Sequence, residues 1–206
     1  MAVAFRVDHE ARFLSHHDMM RLFEHAAVRA RLPLRYSEGF NPRPKLSLPL
    51  PRPTGVASRC ELLVMRLAEP AAPQHVRESL QAALPDGVTI TDCRPIPGTG
   101  TVHARDASFE LPVAPPQRGP VGERLEQLRR ASQWMVRREG TPSDAAGRPI
   151  DLRPLVAKIV LEDGHLRFTL VPEGQRWARP SEVLALVGLD SPDARSRLVR
   201  TEVHWD

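Results

Sequence analysis

The chain has 206 residues, 41% hydrophobic and 26% charged with a formal net charge of +4, which predicts a water-soluble globular protein of one large domain or two of about 100 residues. No apolar run reaches the ~18 residues that a bilayer span needs, and Met1-Ala2-Val3-Ala4-Phe5-Arg6 lacks the basic-then-apolar pattern of an export signal, so no membrane association and a cytoplasmic location are expected. Two thiols, Cys60 and Cys93, exclude a self-contained four-thiolate zinc or iron–sulfur site and suit a reducing compartment.

In chain order, weak alternation over Ala2 to Val7, a polar break and Phe13-Leu14 predict an initial strand or hairpin around 2–14. Ser15 reads as a helix N-cap, with Asp18 as a capping-box-like partner. Met20, Phe23, Ala27 and Ala30, widened by Met19, Leu22 and Ala26, form the apolar stripe of the helix that follows, which should end near Arg31 or Leu32 before Pro33. Leu34 to Tyr36 is extended, and Leu46 to Leu50 alternates like a strand that Pro49 confines to an edge. Glu61 to Leu67 is a strand, Gln74 to Leu84 a helix introduced by Pro73, and Val88 to Thr91 a strand. This order matches a ferredoxin-like split βαβ unit.

Residues 96–100 read as a connector between a first unit at 1–95 and a second at 101–206. Ala107 to Val113 is a strand, and Gly122 to Arg138 a helix with Leu125, Leu128, Trp134 and Met135 on or near one stripe. Leu155 to Leu161 and Leu166 to Val171 form a hairpin across Glu162-Asp163-Gly164. A short helix over Ser181 to Val187 and a strand over Leu198 to Trp205 complete the plan. The expected class is α+β, two tandem ferredoxin-like (βαββαβ) units with antiparallel sheets.

Charge is unevenly placed along the chain. Residues 1–60 carry ten cationic against five acidic side chains, whereas the remainder carries nineteen against twenty. That asymmetry points to a polyanionic partner such as nucleic acid. At its centre stands Tyr36-Ser37-Glu38-Gly39-Phe40-Asn41-Pro42-Arg43-Pro44-Lys45. The prolines remove N–H groups and restrict their predecessors, so this stretch is stiff and irregular. Arg43 can grip a phosphate bidentately, Lys45 acts as a point charge, and Phe40 or Tyr36 can stack on an unpaired base. Packing of Phe40 beneath a neighbouring helix is the structural alternative. Arg21, Arg35, Ser37 and Asn41 extend the candidate surface.

Ser15-His16-His17-Asp18 could suggest a metal or nucleophile–base site, but adjacent helical residues diverge, so capping by Ser15 and Asp18 is the simpler account. His16 could still donate to a phosphate at the helix start or act as a general base on a ribose hydroxyl. Arg176, Trp177 and Arg179 form a smaller cation–aromatic cluster in the second half.

Phe13-Leu14-Ser15-His16-His17-Asp18-Met19-Met20-Arg21-Leu22-Phe23 and Arg35 through Ser47 closely resemble the radical SAM-associated (radical SAM-linked) family, a bacterial domain of unknown function encoded beside or fused to a radical SAM enzyme. The resemblance continues through Pro49-Leu50-Pro51 and Gly55-Val56-Ala57-Ser58, and more loosely at Ile150 to Pro154 and Arg179-Pro180. His17 stands where an apolar residue is more usual, which argues against it as a ligand. The chain has no CxxxCxxC, so the resemblance implies that an iron–sulfur cluster and S-adenosylmethionine belong to a partner radical SAM protein and that this chain holds no cofactor or metal. The expected role is a non-catalytic RNA-binding module serving tRNA or rRNA modification. Two alternatives stand beside it: an adaptor that touches no RNA, and a metal-independent endoribonuclease using His16. Two ferredoxin-like units also resemble the processing endoribonucleases of CRISPR systems, at the level of fold alone.

Overall fold

A computed structural model of the chain describes residues 1–96, 101–138 and 147–206. It is a mixed α/β protein whose pairings of named strands, where their direction is given, are antiparallel, with five α-helices among the described residues. The chain divides into two units, Met1–Ala104 with Trp205–Asp206, and Arg105–His204. Residues 97–100 of the expected connector lie outside the described residues.

In the first unit β1 (Ala2–Val7) lies between β3 (Ala57–Met65) and β4 (Val88–Arg94), antiparallel to both, and β2 (Leu46–Ser47) pairs with the end of β3. Alternation along β1 turns Val3, Phe5 and Val7 toward a core shared with Leu63 and Met65. Helix α1 (His16–Arg29) covers that face with Met19, Phe23, Ala26 and Ala27, and the Phe5 and Phe23 rings meet edge to face with centroids 4.7 Å apart. Met20, Leu22 and Ala30 of the expected stripe are only partly buried. Helix α2 (Pro73–Gln81) adds Val76 and Leu80, ending three residues earlier than its pattern suggests. The opposite sheet face carries Ala2, Leu62 and Val64, with Trp205 packed against them.

Three expectations change here. The segment after β1 is a 3₁₀ helix (His9–Phe13), not the second arm of a hairpin: Asp8 donates its N–H to Gly87 instead, 2.8 Å away. Gly87 has φ +85°, and a Cβ there would stand 2.7 Å from the Asp8 carbonyl oxygen, so only glycine fits this approach. The strand read over 46–50 shrinks to two residues. Beyond it the Arg52 guanidinium, 9% exposed, donates to the carbonyls of Arg12 and Val56 at 2.7 and 2.6 Å, holding the proline-rich segment in an irregular path. Helix α1 stops at Arg29, two residues before Arg31 adopts φ +51°.

In the second unit the order is β10-β5-β9-β8: β5 (Ala104–Pro112), β8 (Val156–Glu162), β9 (His165–Leu170) and β10 (Val199–Trp205). Phe109 and Phe168 stack across β5 and β9 at 5.2 Å. Asp163 and Gly164 both have positive φ, the geometry of a two-residue turn that matches strand twist. Helix α3 runs over Pro115–Arg130, not 122–138. Pro115 and Pro116 open it, where an absent N–H costs nothing. Past its end the Trp134 indole donates back to the Leu128 carbonyl at 2.9 Å, and the chain peels into β6 (Met135–Arg138), which pairs with β7 (Arg148–Asp151). Trp134 and Met135 therefore do not belong to a helical stripe. After a 3₁₀ turn (Arg153–Leu155), α4 (Pro180–Leu186) matches its expected helix closely, and α5 (Pro192–Arg197) is additional.

Candidate nucleic-acid interface

The loop after α1 is a short irregular hairpin. Tyr36 bridges Pro44 antiparallel, the Ser37 N–H donates to the Arg43 carbonyl at 2.8 Å, and the Lys45 N–H donates to the Arg35 carbonyl at 2.8 Å. In this register Tyr36 and Pro44 form the pair that exchanges no hydrogen bonds, so the N–H that Pro44 lacks is not missed. The Ser37 hydroxyl accepts the Arg43 N–H at 3.0 Å and closes the stem a second time.

The stem is tied to the end of β3. Arg35 donates its N–H to the Arg66 carbonyl at 2.8 Å, and Arg66 donates to the Lys45 carbonyl at 2.9 Å. Leu34, Leu46, Met65 and Leu67 turn toward the core beneath α1 and α2. Period-two alternation then sends Arg35, Lys45 and Arg66 to the other face, and cross-strand pairing places Ser37 and Arg43 with them. Arg35, Arg43 and Lys45 are exposed, and none of the three makes an ion pair among the described residues. The Met1 amine, bonded to the Met65 carbonyl at 2.8 Å, has its pKa lowered first by burial and then by the charge of Arg66.

At the tip, Glu38, Gly39, Phe40, Asn41 and Pro42 are exposed, and Gly39 has φ +122° with nothing within 4 Å of a would-be Cβ. Phe40 is 106% exposed, so it packs beneath no helix. Tyr36, 44% exposed, lies on the stem face opposite the cations. The hairpin thus presents a cationic face and an uncovered aromatic ring on one short, cross-tied element. Cationic face and ring together suit a phosphate backbone with an unpaired base.

The remaining candidates lie elsewhere. His16 begins α1 and lines a cavity of about 10 Å³ with Leu50, Arg52 and Glu61, room for one water at most. Glu61 stands five residues before Arg66 along the β3 direction, roughly 16 Å at strand rise, so His16 and the hairpin cations occupy different ends of the unit. Ser15 caps α1 by accepting the Asp18 N–H at 3.1 Å, and its hydroxyl bonds Asp18 Oδ2 at 2.6 Å. That bond chiefly, with His17 and Arg21 adding, holds the Asp18 carboxyl below its ordinary pKa. Arg21 is exposed on α1, which covers the sheet face opposite the stem cations. In the Arg176–Trp177–Arg179 stretch, Arg176 pairs with Glu173, and the Trp177 backbone carbonyl accepts from Arg138. Sequence reading missed Arg66. Its place two residues beyond Val64 puts it on the outer face, but only the pairing with Arg35 and Lys45 shows what it joins.

The chain belongs to a family described as an uncharacterized protein conserved in bacteria (DUF2344), which matches residues 1–180 and so spans the hairpin and most of the second unit. No curated protein matches the chain.

Proposed function

We propose that this protein is a non-catalytic RNA-binding module, and that it presents single-stranded tRNA or rRNA segments to a radical SAM enzyme. One observation carries the RNA half of the reading: the register of the 35–45 hairpin gathers Arg35, Arg43 and Lys45 on one face and leaves Phe40 uncovered at its tip. Guanidiniums and an ammonium hold phosphates, and the ring stacks on a base without sequence preference. The radical SAM half rests on the motif resemblance over 13–23 and 35–47. The cluster and S-adenosylmethionine would reside in the partner, since the chain's two cysteines, 33 positions apart, form no CxxxCxxC. The order β4-β1-β3-β2 in the first unit and β10-β5-β9-β8 in the second support reading each as a ferredoxin-like unit.

An endoribonuclease that joins His16 to Arg43 or Lys45 finds no support, because about 16 Å of strand separates their surroundings. The test is fluorescence anisotropy with a short labelled oligoribonucleotide on the full chain. Phe40→Ala should weaken binding about fivefold to a hundredfold, the range of one base–aromatic stack, without changing the melting temperature. Absence of measurable RNA affinity in the unaltered protein, alongside nuclease-resistant co-purification with a radical SAM protein, would replace this reading with that of a pure adaptor.

A further inference from the structure

Small residues on a middle strand open a trough in the first unit that the hairpin residues do not line. Alternation along β1 turns Ala2 and Ala4 to the sheet face opposite α1 and α2, and each side chain there ends at a methyl group. The register sets Ala2 between Val64 and Arg94, and Ala4 between Leu62 and Asp92. These neighbours are longer, so they stand as banks along the two methyl groups. Trp205 packs on Ala2, Leu62 and Val64, which leaves Ala2 buried while Ala4 stays half-buried. The remaining space, about 280 Å³, lies among Ala4, Leu62, Arg59, Asp92, Arg94 and Trp205. That is just under the range of sites that enclose a drug-sized ligand, and it suits a single ring.

The Trp205 indole is half-buried, and its N–H has no hydrogen-bond partner among the described residues, so ring and donor are both open to a ligand. Arg59 and Arg94 are exposed and make no ion pair among the described residues. Asp92 and Glu61 share the lining, so charge alone selects no anion here and the flat apolar contact must. The trough also continues the hairpin surface. Leu62, Val64 and Arg66 share this face of β3, and the Arg66 backbone is bonded between Arg35 and Lys45 of the stem. Leu62 to Arg66 is roughly 13 Å at strand rise, so a polynucleotide whose phosphates lie on the stem has a nearby base within reach of Ala4.

We propose that the trough receives one unpaired base of the RNA strand that the hairpin holds. The base lies over Ala4 against the Trp205 indole, with Arg59 and Arg94 beside its neighbouring phosphates. Asp92, across from Ala4, can accept from an exocyclic amino group of that base. This assignment rests on the RNA reading above and adds a second contact for the same strand. Two measurements on the full chain test it. In the first, a 4-thiouridine oligoribonucleotide is photocrosslinked to the unaltered protein, and adducts should map to Trp205 as well as to residues 36–45. In the second, anisotropy follows Ala4→Leu, which fills the trough, and Trp205→Leu, which removes its wall. Each should weaken RNA binding about fivefold to a hundredfold, the range of one base–aromatic stack, and Ala4→Leu should keep the melting temperature. Adducts confined to 36–45, with Ala4→Leu binding as tightly as the unaltered chain, would overturn the trough assignment and leave the hairpin reading standing. No RNA affinity in the unaltered protein would overturn both. Intact RNA affinity in Ala4→Leu, with co-purification of a radical SAM protein lost, would give the trough to a protein partner instead.

Discussion

At the scale of single residues, local hydrogen bonds and burial set the chemistry that the chain can show. Ser15 both caps α1 and holds Asp18 ionised. Ser15→Ala should therefore destabilise the fold by about 1 kcal/mol at neutral pH and return the Asp18 pKa toward its ordinary value. The folded-state pKa of Asp18 is depressed, so its contribution is present above the ordinary carboxylate value and is lost as pH falls through the folded value. Urea unfolding of both proteins should show their difference narrowing in acid; a constant difference would assign the whole effect to the backbone cap. Cys93 is a second case. Burial, aided by the charge of Asp92, pushes its thiol up to about 11. Alkylation by iodoacetamide near pH 8 should then run about a hundredfold slower in the folded chain than in urea, because the thiolate is the nucleophile. Equal rates would contradict that account. Neither residue revealed these properties in the sequence: the Ser15–Asp18 spacing announced the cap, but the environment of Cys93 depends on strands far apart in the chain.

At the scale of elements, what was legible followed from local rules, and what was missed followed from long-range ones. The Asp163-Gly164 turn, the Pro73 and Pro180 helix starts and the stripe on α1 all rest on interactions within a few residues, and each emerged close to its expected place. The run 122–138 misled because Leu125, Leu128 and Met135 keep helical spacing across a break that Ala131 makes with extended backbone. Pairing of β6 with β7 decides the matter, and β7 begins ten residues after β6 ends. The clamp that holds β6 is Arg138, whose pKa is raised by its bonds to Glu182 on α4. Arg138→Met leaves the Glu182 carboxylate buried without its guanidinium, and chemical denaturation should register a loss of about 3 kcal/mol. A loss below about 1 kcal/mol would mean that the pair contributes little to the packing of β6 on α4. The candidate site divides in the same way. The stiffness, charge and aromaticity of 36–45 were evident from composition alone. Which cations share a face was not, since that depends on the Tyr36–Pro44 register and on Arg66 arriving between Arg35 and Lys45.

At the scale of the whole molecule, charge is distributed unevenly along the chain. The excess of cations over acids in residues 1–60 is concentrated, at the hairpin, on a face that the core rules of the unit turn outward. No lysine-rich tail is needed to produce that surface, because alternation along a short stem does so with three side chains. An arginine-rich composition taken alone says little about nucleic acid, and in this chain many guanidiniums bond to carbonyls or carboxylates of the protein itself. The hairpin cations differ in making no such ion pairs among the described residues. The measurement that bears most directly on this contrast is the salt dependence of RNA affinity, compared between the unaltered chain and Arg43→Ala. Each phosphate contact releases counterions, so the magnitude of the slope of log affinity against log salt should fall by about one unit in the variant, with weaker binding to every RNA sequence tried. An unchanged slope and an unchanged affinity would mean that the hairpin face does not meet phosphate at all.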